Sequence, residues 1–526
     1  MESEARQEST GRHALLVGTG ILLSKLVGLV RQFVFSHYFG LSGAADAFLA
    51  ALRIPNCLQN LFGEGVLSAS FIPVYARLLA EGDEEEAGRV AGAIGAILAL
   101  TASVLVLIGV AATPYLIDAI APGFHGAKRE LTIRIVRILF PGAGLLVLSA
   151  WCLGILNSHR KFFLSYTAPV LWNAAMIATL VLFRRLDQTA LAVALAWGSV
   201  AGSVLQLGVQ LPVVFRLARG LHFRLETQTG NVREIIRNFG PVFVSRGVVQ
   251  ISAYVDSLLA SLLGEGAVAG LTNAQTLYLL PVSLFGMSVS AAELPAMSSA
   301  LGGESEVAAH LRRRLDSGLR QIAFFIVPSA MAFLALGGVI TAVLFQSGKF
   351  TAGDSRYVWA ILAGSAVGLL AQTLGRLYSS TYYALRDTRT PLRFAVVRVV
   401  LTTGLGYLCA IPLPRWIGID PKWGVAGLTV SAGVAGWVEF SLLRGTLNRR
   451  IGRTGLPAAL VAKLWCSAAV AAAVGWGLKL LLGVHHPRAG GLAILAGYGS
   501  AYFAMALVLR VEECRRALGR VLGKLC

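Results

Sequence analysis

Two charged patterns lie within the first 65 residues, inside segments that are otherwise apolar. In the first segment, Lys25 and Arg31 accompany small or polar residues at helical spacing, which gives one broad polar face: Ser24, Gly28 and Gln32. In the second segment, steps of seven, seven and four residues bring four polar side chains onto one side of a regular helix: Asp46, Arg53, Asn60 and Glu64.

Cations on such faces could bind an anionic substrate in a hydrophilic cavity. Arginine suits this chemistry because its planar fork can hold two oxygens of a phosphate group and does not lose its proton. Asp46 and Glu64 could position the cations or join a gating pair. The structural alternative is a buried ion pair between Asp46 and Arg31 or Arg53 that fixes helix register. The residues alone leave both interpretations open.

The segments that carry these residues belong to a strongly apolar chain. Of its 526 residues, 56% are hydrophobic and 14% are charged, and the mean hydropathy is +0.69, whereas a soluble domain has roughly a quarter charged residues. Apolar runs of about 20 residues recur, each long enough to cross a ~30 Å hydrocarbon core. They lack the alternation of a transmembrane barrel. The predicted fold is all-α, a polytopic transmembrane helical bundle.

The hydropathy pattern predicts about 14 transmembrane helices. Pro55 and the glycines at positions 63 and 65 could interrupt the second of them. The predicted spans are 15–38, 44–75, 90–113, 131–156, 164–183, 189–215, 238–263, 268–297, 318–345, 356–384, 394–412, 423–443, 459–483 and 490–509.

Basic residues are distributed unequally between the two sets of connecting loops. An even number of spans places both termini on one side, and that side carries 27 Lys and Arg residues against nine on the other. Lys128 and Arg129 belong to the smaller set. The positive-inside rule therefore predicts cytoplasmic termini. The net charge of +19 is explained by topology, so we expect no nucleic-acid partner.

The sequence offers no convergent set of groups for catalysis. It lacks paired carboxylates, a Ser/His arrangement or metal-spaced His and Cys residues near a membrane face, and its six cysteines are scattered. No phosphate-binding loop has the required strand and helix context. We therefore predict that the protein is not an enzyme and needs no cofactor or metal.

A series of short motifs lies in order between residues 20 and 391. They are residues 24–31 (SKLVGLVR), 45–48 (ADAF), 53–56 (RIPN), 64–65 (EG), 68–74 (SASFIPV), 121–124 (APGF), 154–157 (GILN), 168–169 (AP) with Asn173, 344–351 (LFQSGKFT) and 383–391 (YALRDTRTP). These motifs resemble those of the MurJ (MviN) family of lipid II flippases, in the multidrug/oligosaccharidyl-lipid/polysaccharide exporter superfamily.

The resemblance implies two six-helix lobes around a central cationic cavity, followed by two helices whose groove holds a polyprenyl tail. The corresponding domains are residues 1–225, 226–450 and 451–526. It also implies alternating access that carries lipid II, a polyprenyl-diphosphate-linked peptidoglycan precursor, from the cytoplasmic to the periplasmic leaflet of the bacterial inner membrane. The implied partners are lipid II and membrane lipids, and could include cell-wall synthesis proteins.

The resemblance also implies roles for single residues. Arg31 and Asp46 match a functionally important arginine and aspartate of the family, and Lys25 replaces another arginine. Arg53 and Arg376 lie at positions that are usually basic. These five residues, together with Arg246, are the predicted substrate-binding set.

The chain departs from the family pattern at two places. Residues 55–60 (PNCLQN) lack the paired arginines that often follow Pro-Asn, and residues 274–279 (AQTLYL) lack the arginine and acidic residue of the eighth helix. Arg246 and Glu293 could compensate, or Arg246 could pair with Asp256 or Glu293 for packing. Glu64, Asp256 and Glu293 are the predicted gating or ion-pair residues.

Two other functions stay open at this point. The altered eighth helix favours a flippase for another undecaprenyl-diphosphate oligosaccharide. A non-transporting membrane scaffold for cell-wall synthesis is the second alternative, although a scaffold has no need for charges inside the membrane such as Lys25, Arg31, Asp46 and Arg53.

Overall fold

The computed structural model describes residues 2–218, 220–227, 229–299, 303–482 and 487–522. Within these ranges, the side chains of residues 2–19, 21, 64–65, 241–242, 244–253, 304, 487 and 520–522 lie outside the description. The chain is 87% helical and the described residues form no strand. The predicted all-α transmembrane fold is confirmed.

The helices are α1 (Glu2–Phe39), α2 (Gly43–Phe62), α3 (Glu64–Glu81), α4 (Glu84–Ile120), α5 (Gly126–Ser158), α6 (Phe162–Leu182), α7 (Gln188–Leu217), α8 (Gly230–Ser261), α9 (Ala267–Pro281), α10 (Ser288–Ser298), α11 (Glu304–Ala335), α12 (Gly337–Phe345), α13 (Ala352–Ala384), α14 (Arg389–Ala410), α15 (Pro412–Trp416), α16 (Gly424–Ile451), α17 (Ala458–Leu482), α18 (Pro487–Val508) and α19 (Glu512–Leu522). A π-helical segment, Val282–Met287, joins α9 to α10, and a 3-10 turn, Pro421–Trp423, precedes α16.

Eleven helices in the described part of the chain are long and apolar enough to cross a membrane, and each overlaps one of the predicted spans. The full count of 14 stays a prediction. The predicted span 44–75 is two helices, because the chain breaks at Gly63, whose φ is −90° and ψ is −147°. Pro55 lies inside α2 without ending it.

The first compact unit is Met1–Val268. Its centre is α5, which packs against α2, α3, α4 and α7, while α1 packs against α6. Trp151 of α5 is buried, and its indole N–H donates to the carbonyl of Ala91 at 3.1 Å. The buried Ser149 hydroxyl is also paired, since it donates to Gln210 Oε1 at 2.7 Å. These two hydrogen bonds pair polar groups that would otherwise be unsatisfied inside an apolar unit.

The second compact unit is Ala269–Cys526. Helix α13 packs against α11 and α16, and α14 packs against α16. Gly368 of α13 directly faces Gly433 of α16, where a Cβ on either residue would clash with the other backbone. These glycines therefore permit the close approach of two membrane helices.

Helix α18 is hydrogen-bonded to α11 at a point where a proline interrupts the backbone hydrogen bonds of α11. Pro328 has no N–H, so the carbonyl of Phe324 loses its usual helical partner. The hydroxyl of Tyr502 in α18 donates to that carbonyl at 2.7 Å, and Tyr498 donates to the Pro328 carbonyl at 2.7 Å. The two tyrosines fix the position of α18 along α11.

Helix α8 follows the predicted division at residue 225. Residues 230–261 form α8, which packs against α2, α3 and α4 of the first unit. The two six-helix lobes with a separate C-terminal pair remain a prediction.

Candidate functional site

A buried carboxylate lies in the first turn of α2. The helix begins where the Ser42 hydroxyl accepts a hydrogen bond from the Ala45 N–H at 3.2 Å. Asp46 follows one residue later, and its side chain is 0% exposed. Its Oδ2 accepts hydrogen bonds from Lys128 Nζ at 2.7 Å and from the Gly266 N–H at 2.7 Å. A buried carboxylate is thus compensated by a cation and a backbone donor.

Lys128 reaches Asp46 from the first turn of α5. Its ammonium also lies 4.1 Å from the ring centroid of Phe124, which is fully buried, in a cation–π contact. Hydropathy predicts Lys128 in a connecting loop, which gives no indication of this role. Phe124 ends the motif at residues 121–124, and Lys128 follows it by four residues. This spacing is the sequence signal that could have indicated a functional role for Lys128.

The backbone around Asp46 is also tightly fitted. Gly266 has φ of +80°, and a Cβ there would lie 2.7 Å from the Leu41 carbonyl. The Gly43 N–H donates to Glu265 Oε1 at 2.5 Å, and the Gly123 N–H donates to Ser261 Oγ at 3.3 Å. The start of α2, the α4–α5 connection and the α8–α9 connection are therefore tied together. We call Asp46, Lys128 and Gly266 the Asp46 cluster.

Arg31 occupies a different environment, between α1 and α6. Its guanidinium carbon lies 5.0 Å from the ring centroid of Trp172, and Nη1 is 3.8 Å from Met176 Sδ. Among the side chains that the structure describes, no carboxylate lies within 4.0 Å of it. Arg31 is half-buried, whereas Lys25, two turns earlier on α1, is exposed. The two predicted cations of α1 therefore have different surroundings.

Arg53 of α2 is half-buried beside α8. The Tyr254 hydroxyl donates to the Arg53 carbonyl at 2.7 Å, and the Arg53 guanidinium interacts electrostatically with Asp256. Two predicted site residues, Arg53 and Asp256, are thus brought together in the first unit. Tyr254, which the sequence analysis did not single out, positions the α2 backbone at this point.

The predicted residues of the second unit lie in two other places. Arg376 of α13 is exposed and interacts electrostatically with Glu439, which is paired with Arg398 at 3.4 Å. Glu293 lies 3.8 Å from Arg314 of α11.

The side chains of Glu64 and Arg246 lie outside the described residues. Whether Arg246 and Glu293 replace the missing charges of residues 274–279 therefore stays a hypothesis.

The arrangement in the first unit suits binding and release of an anion. The guanidinium of Arg31 lies against an aromatic ring, and that of Arg53 interacts electrostatically with Asp256. Guanidinium groups hold phosphate oxygens in bidentate geometry. The Asp46 cluster joins the start of α2 to the α4–α5 and α8–α9 connections by an ion pair and a hydrogen bond. Both contacts can break without breaking a covalent bond.

A family model described as "Lipid II flippase MurJ" matches residues 35–487. The chain belongs to this family. A curated lipid II flippase MurJ of Burkholderia cenocepacia is 33% identical over 445 residues, which cover 83% of this chain and 84% of the relative. A probable lipid II flippase MurJ of Rhizobium meliloti is 31% identical, with 88% and 86% of the two chains covered. The resemblance found in the sequence motifs is confirmed.

Solved structures show the same fold. A lipid II flippase MurJ in an inward closed conformation superposes with a TM-score of 0.78 at 22% identity, covering 94% of this chain and 99% of that one. An inward-facing multidrug resistance transporter of the MATE family, in the MOP superfamily, gives 0.67 at 20% identity, covering 83% and 98%. The family and the exporter superfamily thus share one helical architecture with this chain.

Proposed function

We propose that the protein is a flippase that carries lipid II from the cytoplasmic to the periplasmic leaflet by alternating access along a cationic route. Family membership supports the substrate. The observation that carries the mechanism is Arg31, a half-buried arginine in a predicted membrane span with no carboxylate within 4.0 Å among the described side chains. An anionic ligand would supply the missing counter-charge.

The energetic argument starts from the cost of an intramembrane charge. A cation at the centre of a membrane helix costs at least about 2.5 to 3.5 kcal/mol and is kept where it serves a function. Trp172 supports the guanidinium through its ring, and one Nη1 N–H donates to Met176 Sδ, so the other N–H groups of Arg31 are the proposed donors to a ligand. The diphosphate of lipid II presents several oxygens to such a planar donor.

Arg53 supplies the second cation of the proposed route. The Arg53 guanidinium interacts electrostatically with Asp256. A bound diphosphate would therefore compete with this carboxylate for the guanidinium. That competition weakens substrate binding and favours release, because Asp256 replaces the departing anion beside the guanidinium. A transporter needs both binding and release.

The Asp46 cluster is the proposed closure at the periplasmic end of the first unit. It joins the start of α2 to the α4–α5 and α8–α9 connections, which the loop charges place on the periplasmic side. Opening this end would require Lys128 and the Gly266 N–H to leave the carboxylate. Asp46 is therefore proposed to act in gating rather than in holding substrate.

Complementation tests the proposal in cells depleted of their own lipid II flippase. The parent and Arg185→Ala, which removes an exposed arginine of a turn, should restore growth and periplasmic delivery of labelled lipid II. Arg31→Ala at equal expression should lower delivery about 100-fold, and Arg31→Lys should recover part of it, since charge returns without the bidentate fork. Full rescue by Arg31→Ala would refute the cationic route.

The departures at residues 55–60 and 274–279 favour one alternative, a flippase for another undecaprenyl-diphosphate oligosaccharide. The same cells distinguish it. A well-inserted parent that fails to deliver lipid II, but rescues cells lacking an oligosaccharide flippase, would identify the other substrate. A scaffold predicts a third pattern, in which the parent and Arg31→Ala rescue growth equally.

A further inference from the structure

A cavity of about 820 Å³ lies in the second unit, away from every residue discussed above as part of the transport route. Its wall changes from polar to aromatic along α11, over the twelve residues from Arg313 to Phe325, which is about 18 Å of helix. The lining residues come from the π-helical segment, α11, α18 and α19: Phe285, Arg313, Asp316, Ser317, Arg320, Gln321, Phe324, Phe325, Phe503, Glu513, Arg516, Ala517 and Leu518. We call this the C-terminal cavity.

The apolar part of the cavity is a cluster of phenylalanine rings. Phe285 and Phe325 stack with centroids 4.3 Å apart and planes 4° apart, and Phe324 meets Phe503 edge to face at 5.8 Å. The buried ring of Phe324 is held by the hydrogen bond from Tyr502 to its carbonyl. The side chains of this wall are apolar rings, so it suits a hydrocarbon chain.

The polar part carries three arginines and two acids, a formal charge of +1. Both acids are already engaged. Asp316 accepts from the Gly455 N–H at 3.0 Å, and Glu513 lies 3.9 Å from Arg320 with its own side chain 9% exposed. Arg313 has no carboxylate within 4.0 Å among the described side chains.

Arg516 is the remaining cation of the cavity. It meets Glu512 at 3.3 Å, in a pair whose side chains are 65% and 68% exposed. Such exposed pairs contribute little free energy, so the guanidinium of Arg516 is available to a ligand. Arg313 and Arg516 together are two cations that an anionic group could bridge.

Helix α19 forms one side of the cavity. Val511 and Cys514 are buried at its start, while Arg515 and Arg516 are exposed. The loop charges place this end of α11 and the helix after α18 on the cytoplasmic side. None of the lining residues belongs to α17, and α18 contributes Phe503 to the wall.

We propose that the C-terminal cavity binds one anionic phospholipid of the cytoplasmic leaflet, with its phosphate on Arg313 and Arg516 and its acyl chains on the phenylalanine wall. The amphipathic lining matches a molecule with an anionic head and an apolar body. Anionic lipids are concentrated at the cytoplasmic surface, where each nearby arginine favours them about fivefold. Such a site has a role separate from the transport of lipid II, because a bound phospholipid would contact both α11 and α19.

The test measures lipid binding by the purified full-length protein in nanodiscs or by native mass spectrometry. The parent should bind phosphatidylglycerol at one saturable site and phosphatidylcholine at least tenfold more weakly. The double variant Arg313→Gln/Arg516→Gln should lose about 25-fold in phosphatidylglycerol affinity, from about fivefold per arginine. The matched control is Arg312→Gln/Arg515→Gln, which removes the adjacent exposed arginines of the same helices outside the cavity. It should change affinity less than twofold.

A second variant keeps the charges and fills the space. Leu518→Trp should abolish the saturable site while leaving the thermal unfolding temperature of the lipid-free protein within about 2 °C of the parent. Equal loss in the cavity and control doubles, or unchanged binding by Leu518→Trp, would overturn the proposal.

Two competitors identify the source of the phosphate. Glycerol 3-phosphate at millimolar concentration should not displace the lipid, because it lacks the chains that contact the phenylalanine wall. Undecaprenyl phosphate should compete at least tenfold more weakly than phosphatidylglycerol. Effective displacement by either compound would overturn the assignment to a phospholipid. These binding measurements do not depend on whether the protein transports lipid II.

Discussion

Two aspartates of this protein form ion pairs of equal length in very different settings. Asp46 meets Lys128 at 2.7 Å in the first unit, and Asp387 meets Arg450 at 2.7 Å in the second. Asp46 is fully buried, whereas the side chain of Asp387 is 18% exposed and that of Arg450 is 46% exposed. Two ion pairs of the same length can therefore differ completely in burial.

The difference lies in what each carboxylate joins. Asp387 accepts from the Thr390 N–H at 3.0 Å and the Thr390 hydroxyl at 2.8 Å, so most of its contacts are within one turn. Asp46 joins three connections that are distant in sequence. We infer that the first unit contains a closure that can separate, and that the Asp387 pair is a static contact between the α13–α14 connection and α16.

The largest expected effect is that of Asp46→Asn. Removing one partner of a buried ion pair typically costs about 3 to 5 kcal/mol, because the other charge stays buried without compensation. The asparagine oxygen can still accept from the Gly266 N–H, so the change isolates the charge on Lys128. Denaturant unfolding of the purified variant should show this loss, and complementation should fail.

A double variant sharpens the same test. Asp46→Asn/Lys128→Met removes both charges and should recover most of the unfolding free energy, while transport stays impaired because the closure no longer forms selectively. A double variant as unstable as Asp46→Asn alone would mean that the pair does not carry the stability of this region.

The next effect in size is that of Gly266→Ala. Its positive φ and the 2.7 Å approach of a Cβ to the Leu41 carbonyl should together cost about 1 to 3 kcal/mol. Gly264→Ala is the matched control, since Gly264 has φ of +98° but open space around a Cβ. The two variants share the strain, and only Gly266→Ala disturbs the packing against Leu41. Equal unfolding midpoints would contradict the close fit.

A smaller, pH-dependent effect is expected at Asp387. The backbone N–H of Thr390, followed by the Thr390 hydroxyl and Arg450, lowers the pKa of this carboxyl to about 2. Because the folded pKa lies below the usual value of about 3.9, the stabilisation is complete above pH 5 and declines as the pH falls toward 2. The difference in unfolding temperature between the parent and Asp387→Asn should therefore be constant from pH 7 to 5 and shrink by pH 3. A difference that grows on acidification would refute this.

The smallest effect is expected beside Lys128 itself. Arg129 meets Asp118 at 2.6 Å, but their side chains are 32% and 54% exposed. Exposed pairs are screened by water and salt, so Arg129→Gln should leave the unfolding midpoint and growth rescue unchanged. Loss of rescue would show that surface charge, rather than the Asp46 cluster, governs this end of the first unit.

The sequence predicted the fold and several candidate site residues, but not the contact between Asp46 and Lys128. Hydropathy predicted the helical membrane fold, and helical spacing indicated Arg31, Asp46 and Arg53 as candidate site residues. Both predictions depend on patterns that repeat along the chain. The partner of Asp46 was not predictable in this way. Lys128 is 82 residues away and was read as a loop charge, and no local pattern encodes a contact between separate connections.

Other features depend on packing in the same manner. The break at Gly63 was suggested by composition, but the π-helical segment Val282–Met287 had no sequence signal. The C-terminal cavity combines residues from the π-helical segment to α19, which hydropathy treats as separate helices and a tail. Long-range assembly, rather than local propensity, decides these features.

The most direct test of the account is a flipping assay with purified protein in liposomes that carry fluorescent lipid II. The parent should move the label between leaflets, Arg185→Ala should match it, and Arg31→Ala should be slower by about two orders of magnitude at equal incorporation. Such a result would assign transport to the cation beside Trp172. Equal rates for the parent and Arg31→Ala would contradict the central claim that lipid II passes along a cationic route.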